Sequence, residues 1–107
     1  MKFITKIEEI LLLAIWKLKD QAYGIAIREQ VEKDTGIRWI SGAIYAPLSR
    51  LRKNRFVSTE QADGSAEMGG RPRIYYSLTK LGKEKLVTLQ EMNRVMWTDV
   101  PDLKNEF

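Results

Sequence analysis

The chain has 107 residues, with 18 Lys plus Arg, 14 Asp plus Glu, and neither His nor Cys. That length suits one domain, and the missing residue types exclude disulfides, the usual zinc sites and Cys–His or Ser–His catalytic pairs. The net charge of +4 sits in the middle third: residues 41–80 hold seven basic against three acidic groups, while the flanking thirds nearly balance.

Acids at Glu8 and Glu9 stand where a signal peptide would be apolar. The run Ile10–Trp16 is far shorter than the ~20 residues that span a bilayer. A cytoplasmic protein with no membrane partner is expected. Thr5 and Glu8 form a capping box that opens a helix over 5–19. Ile7, Ile10, Leu11, Ala14, Ile15 and Leu18 recur at helical spacing, and Leu12, Leu13 and Trp16 carry apolar surface round the other side. A helix apolar on more than one face needs a second cover, and in so small a chain another copy of itself is the simplest one.

A second helix is predicted over 23–34, stopped by Gly36. Ile37–Ile40 reads as a short β-like run, and Ser41 as the N-cap of a third helix over 42–54. Ile44, Leu48 and Leu51 form the inward stripe of that helix; Gly42, Ala46, Ser49, Arg50 and Lys53 point outward, with Tyr45 and Arg52 at the boundary. Pro47 lies beyond the first turn, so the helix either begins nearer Ile44 or bends at its start. Two strands, 56–61 and 73–78, flank a long loop ending in Gly69-Gly70-Arg71-Pro72-Arg73. Thr79 caps a last helix on which Leu81, Leu89, Met92, Val95 and Met96 share one broad face, with Leu86 and Trp97 on another side. A polar tail follows Val100-Pro101-Asp102.

Three helices followed by a β-hairpin describe a winged helix-turn-helix, mainly α with a small hairpin, plus a C-terminal dimerisation helix. Residues 1–78 form the winged-helix region, 79–98 the last helix and 99–107 the tail, all in one structural domain. Small residues let the third helix sink toward base edges, and its cations reach guanines or phosphates. From Ser41 to Thr59 there are four cations and no acid. Ser41, Gly42, Ala43, Tyr45, Ser49, Arg50 and Lys53 are the candidate DNA contacts on the helix, with Arg71 and Arg73 in the wing for a minor groove or adjacent phosphates. The same side chains also fit a solvated helix face and a cationic hairpin tip.

Glu9–Trp16, Ala22-Tyr23-Gly24, Ser41–Leu51, Gly69–Tyr76 and Leu78–Gly82, in this order, closely resemble segments of the PadR family of bacterial transcriptional regulators. The resemblance runs from about residue 8 to 97 and is nearest to the compact subfamily with one C-terminal helix. It implies a homodimeric repressor whose C-terminal helix packs on the partner's N-terminal region. It also implies an inducer, aromatic or cationic and apolar, near the dimer interface. Arg52-Lys53-Asn54-Arg55 departs from the family, where an acid and a glycine are frequent.

Leu12, Leu13, Trp16, Leu89, Met92, Val95 and Met96 are the candidate interface. Trp16 and Trp97 are candidates for stacking on a flat ligand, unless both are simply interface core. No cofactor or metal is expected. A small-molecule-binding dimer without DNA contact and a winged-helix protein adaptor are the competing readings; an enzyme is the least favoured.

Overall fold

The computed structural model describes residues 3–62 and 72–107. The first helix, α1 (Lys6–Leu18), starts on the predicted capping box: the Glu8 amide donates to Thr5 Oγ1 at 3.2 Å, and the Thr5 amide to Glu8 Oε1 at 2.9 Å. The reciprocal bonds satisfy two N–H groups that helix geometry leaves without partners. A short 3-10 turn (Lys19–Gln21) leads to α2 (Gly24–Thr35), which ends on Gly36 in the left-handed region at φ 74°. There the Gly36 amide donates to the Glu32 carbonyl at 2.8 Å.

Residues 37–40 form no strand. Branched and aromatic side chains favour a pleated surface only where a neighbouring strand exists to pair with. Trp39 instead packs on the core, and its indole N–H finds no acceptor among the described residues. The third helix, α3 (Ser41–Lys53), is capped by Ile40 rather than by Ser41, which is its first helical residue. It runs through Pro47 instead of starting at Ile44. Pro47 removes the amide that would bond to the Ala43 carbonyl, but its ring is buried with Ile44, Leu48 and Leu51, and that packing holds the turn.

The wing strands are β1 (Val57–Ala62) and β2 (Arg73–Leu78), antiparallel, with Val57 opposite Leu78 and Ala62 opposite Arg73. Tyr23 adds an isolated bridge to Tyr75, and the Tyr76 amide donates to the Ala22 carbonyl at 2.7 Å, so the start of α2 is pinned to the hairpin. The last helix, α4 (Lys80–Trp97), begins at a joint. Thr79 Oγ1 accepts from the Gly82 amide at 3.0 Å and donates to the Arg55 carbonyl at 2.6 Å, while the Thr79 amide donates to the Phe56 carbonyl at 3.1 Å. Gly82 is needed here, because a Cβ at this site would run into the Phe56 carbonyl.

One core joins the three helices to the hairpin: Leu11, Leu12 and Ile15 of α1, Ile27 and Val31 of α2, Leu48 and Leu51 of α3, and Val57 of β1. Leu12 is fully enclosed in it, and Leu89 is buried within the same chain, so neither offers its side chain to a second copy. The helical stripe of α1 is simply wider than one face because it meets α2, α3, β2 and α4 together. On α4, Leu86 faces the core, whereas Leu81, Val95, Met96 and Trp97 are exposed and Met92 is half-buried. The molecule measures 55 × 32 × 21 Å with a radius of gyration of 16.0 Å, against about 13 Å for a compact chain of ~100 residues.

Candidate nucleic-acid interface

Helical periodicity divides α3 into two surfaces. Ile44, Pro47, Leu48 and Leu51 are buried; Ser41, Gly42, Tyr45, Ala46, Ser49, Arg50, Arg52 and Lys53 are exposed. Gly42, Ala46, Ser49 and Lys53 make the midline of the outward face, with Tyr45 and Arg52 along one flank and Arg50 on the other. Ala43 is half-buried, between Arg50 and the core stripe. Arg50, Arg52 and Lys53 occupy the last turn, where cations also complement the negative end of the helix dipole. None of the three is in an ion pair with a described carboxylate.

Arg73 enters from the base of the wing. Its guanidinium sits 4.2 Å from the centre of the Tyr23 ring, which in turn meets Tyr75 edge-on with ring centres 5.6 Å apart. Burial, and secondarily the neighbouring Tyr45, raise the pKa of the Tyr76 hydroxyl above its ordinary value. Tyr23, Tyr45 and Tyr76 therefore gather between α2, α3 and the wing, with Tyr75 against Tyr23, a cluster that the sequence alone does not assemble. Tyr23, Gly24, Tyr45, Arg73 and Tyr76 line a groove of about 580 Å³ there. Gly24 makes it possible, since a Cβ at this site would collide with the Tyr45 hydroxyl. Arg71, and Gly69 and Gly70 before it, lie outside the described residues.

Trp16 and Trp97 occupy different ends of a second surface. Asn93 Nδ2 donates to Glu9 Oε2 at 2.8 Å, and Lys83 Nζ stands 5.5 Å from the centre of the Trp16 ring, so α1 and α4 run antiparallel. Lys19 Nζ lies closer to the same ring, at 3.3 Å. Leu13, Trp16, Leu86 and Val87 line an apolar groove of about 530 Å³ between the helices. Trp97 does not border it; it projects at the far end of α4, 67% exposed. One protomer does not bring Trp16 and Trp97 together. Among the described residues, no helix is long and apolar enough to cross a membrane, and no His, Cys, Asp or Glu cluster could hold a metal.

A mainly helical chain with an antiparallel wing and a basic, acid-free third helix belongs to the winged helix-turn-helix class of DNA-binding regulators. The family model described as the transcriptional regulator PadR-like family matches residues 12–88, and the chain belongs to that family. The chain is similar to a PadR-like transcription factor from Bacteroides fragilis, at 27% identity and TM-score 0.73, over 84% of this chain and 82% of that one. It is similar to a PadR family transcription regulator from hypervirulent Clostridium difficile R20291, at 25% identity and TM-score 0.73, over 86% and 91% of the two chains. A PadR-like regulator from Bacillus cereus strain ATCC 14579, at 24% identity, TM-score 0.71 and coverage of 86% and 84%, shares the fold. No curated protein matches the chain.

Proposed function

We propose that the protein is a cytoplasmic, homodimeric repressor that places two copies of α3 in successive major grooves and is released by a small aromatic effector. The carrying observation is the outward face of α3: small residues at its centre, three cations in its last turn, and no ion pair among the described residues to neutralise them. Gly42, Ala46 and Ser49 let the helix approach base edges, and Arg50 and Lys53 contact bases or phosphates. Ser41, Tyr45, Arg71 and Arg73 are the residues that anchor the sugar–phosphate backbone. Ala43, half-buried beside Arg50, stands at the margin of this contact set. A twofold pair would read half-sites about one helical turn apart.

Self-association is supported by the apolar surface that the protomer leaves uncovered: Leu13 and Trp16 on α1 and Val87, Val95, Met96 and Trp97 on α4 are all exposed. Residues 79–98 then form the dimerisation helix, with Met92 at its margin, while 1–78 read the duplex and the tail 99–107 trails from the end. An aromatic effector would stack on Trp16 in the α1–α4 groove, with the partner's α4 supplying the opposite wall.

Selection of duplexes from a random pool, followed by gel-shift titration at several salt concentrations, tests the reading. Binding falls steeply with salt, and Arg50→Ala with Lys53→Ala abolishes it while sedimentation still reports a dimer. Full affinity in that double variant removes α3 from the interface. A strictly monomeric protein, by sedimentation at working concentration, removes the twofold reading. Quenching of tryptophan fluorescence by planar aromatics, unchanged in Trp16→Phe, removes the effector site.

A further inference from the structure

Arg28, on α2, played no part in the reading of the sequence, yet the structure places it at the start of α3. Its Nη1 donates to Ser41 Oγ at 3.0 Å. A guanidinium carries five N–H donors in a rigid fork, and here one of them meets a neutral hydroxyl. No carboxylate of the described residues pairs with it, not even Glu32 one turn further along α2.

The surroundings give that charge a direction. Gly24, Ile25, Arg28, Ser41 and Tyr45 border a shallow depression. Gly24, Ile25 and Tyr45 also border the groove that reaches Pro72 and Arg73 at the wing. The two depressions meet at Gly24, Ile25 and Tyr45 and together make a trough-like surface, with Arg73 bordering one of them and Arg28 the other. Its floor offers a glycine, an isoleucine and aromatic rings, which provide little for reading base edges. Two cations at the ends of a trough beside a recognition helix suit a sugar–phosphate strand. In a helix-turn-helix the first helix crosses the backbone while the start of the second meets the bases, and Arg28 joins those two elements.

We propose that one strand of the duplex backbone lies along the trough from Arg73 past Tyr45 to Arg28, and that Arg28 binds a phosphate there while holding Ser41. This deepens the DNA-binding reading and rests on it. Arg28 fixes position along the strand and carries no base preference.

The test is the slope of log affinity against log salt for wild type, Arg28→Gln, Arg28→Lys and Ser41→Ala, each checked for an unchanged circular dichroism spectrum and melting temperature. Loss of one phosphate contact per protomer lowers the slope by about 0.9 per reading head. Arg28→Gln shows this drop and weakens selected and random duplexes by the same factor. Arg28→Lys and Ser41→Ala keep the wild-type slope, because the charge remains. An unchanged slope in Arg28→Gln overturns the proposal, even if affinity falls, because the residue would then act through α3 alone. An equal drop in Arg28→Lys overturns it as well. A wild type with no salt-dependent duplex binding sinks the underlying reading, and the trough with it.

Discussion

Gly24 and Tyr45 share one space: the Tyr45 hydroxyl rests where any side chain at position 24 would stand. The pair ties the first residue of α2 to the flank of α3, on the side that faces the trough. Gly24 opens α2, so alanine gains only part of the about 1 kcal/mol it holds over glycine in a helix interior, and the displaced group is the end of a side chain that is 44% exposed. Gly24→Ala therefore leaves the melting temperature within a few degrees of wild type while pushing Tyr45 out of place. DNA affinity falls in Gly24→Ala, and the loss disappears when the same change is made on Tyr45→Ala. A double-mutant cycle in gel-shift affinity reads the coupling, expected at about 0.5–3 kcal/mol; additive losses would separate the two residues.

Gly82 gives the opposite balance. The atom that a Cβ would strike is the Phe56 carbonyl oxygen, a backbone group that already accepts the Thr79 amide. It has no rotamer to change. Gly82→Ala is expected to destabilise the protein by about 1–3 kcal/mol, the usual cost of overpacking, in spite of its better helix propensity. Urea unfolding measures it, and a more stable variant would mean that α4 can slide off the joint.

Arg55 occupies the left-handed region at φ 65°, where an L-residue pays roughly 1–2 kcal/mol. A glycine at this turn would relieve that strain. Arg55→Gly is expected to raise stability by up to about 1 kcal/mol, the strain relief being partly offset by glycine's greater unfolded-state entropy. Thermal melting reads it, and a lower melting temperature would show that the arginine side chain stabilises the turn.

Asp34 links α2 to α1. The hydrogen bond from Lys17, at 2.9 Å, and a second from Gln30 hold its carboxyl below the ordinary 3.8. A lowered folded value means that the contribution is present above the unfolded pKa and is lost as pH falls through the folded one. Stability in wild type thus declines below about pH 4 more steeply than in Asp34→Asn. Urea midpoints collected across the acid range compare the two, and parallel curves would rule out this pair as a source of the slope.

Local signals in the sequence carry most of the fold. The Thr5–Glu8 box, Gly36 in the left-handed stop and Thr79 at the start of α4 are each recognisable because cap, turn and partner lie within four residues. What needed distant partners was less readable. Ile37–Ile40 has strand composition and no strand beside it, while Tyr23, at a helix start, makes the bridge to Tyr75. Ser41 has an N-cap side chain, but its hydroxyl receives Arg28 instead. Leu12 belongs to the core because α1 is surrounded, a fact about four other elements and not about its own spacing. The outward face of α3 was legible from periodicity alone; the trough was not, since Gly24, Tyr45 and Arg73 meet only through the fold.

The Thr79 joint has a mechanical consequence. Its hydroxyl and amide fasten the first turn of α4 to the two residues that leave α3, with no intervening loop to absorb motion. A twist or tilt of the long rod at one end of the molecule therefore bears directly on the turn that follows α3, through these two short bonds.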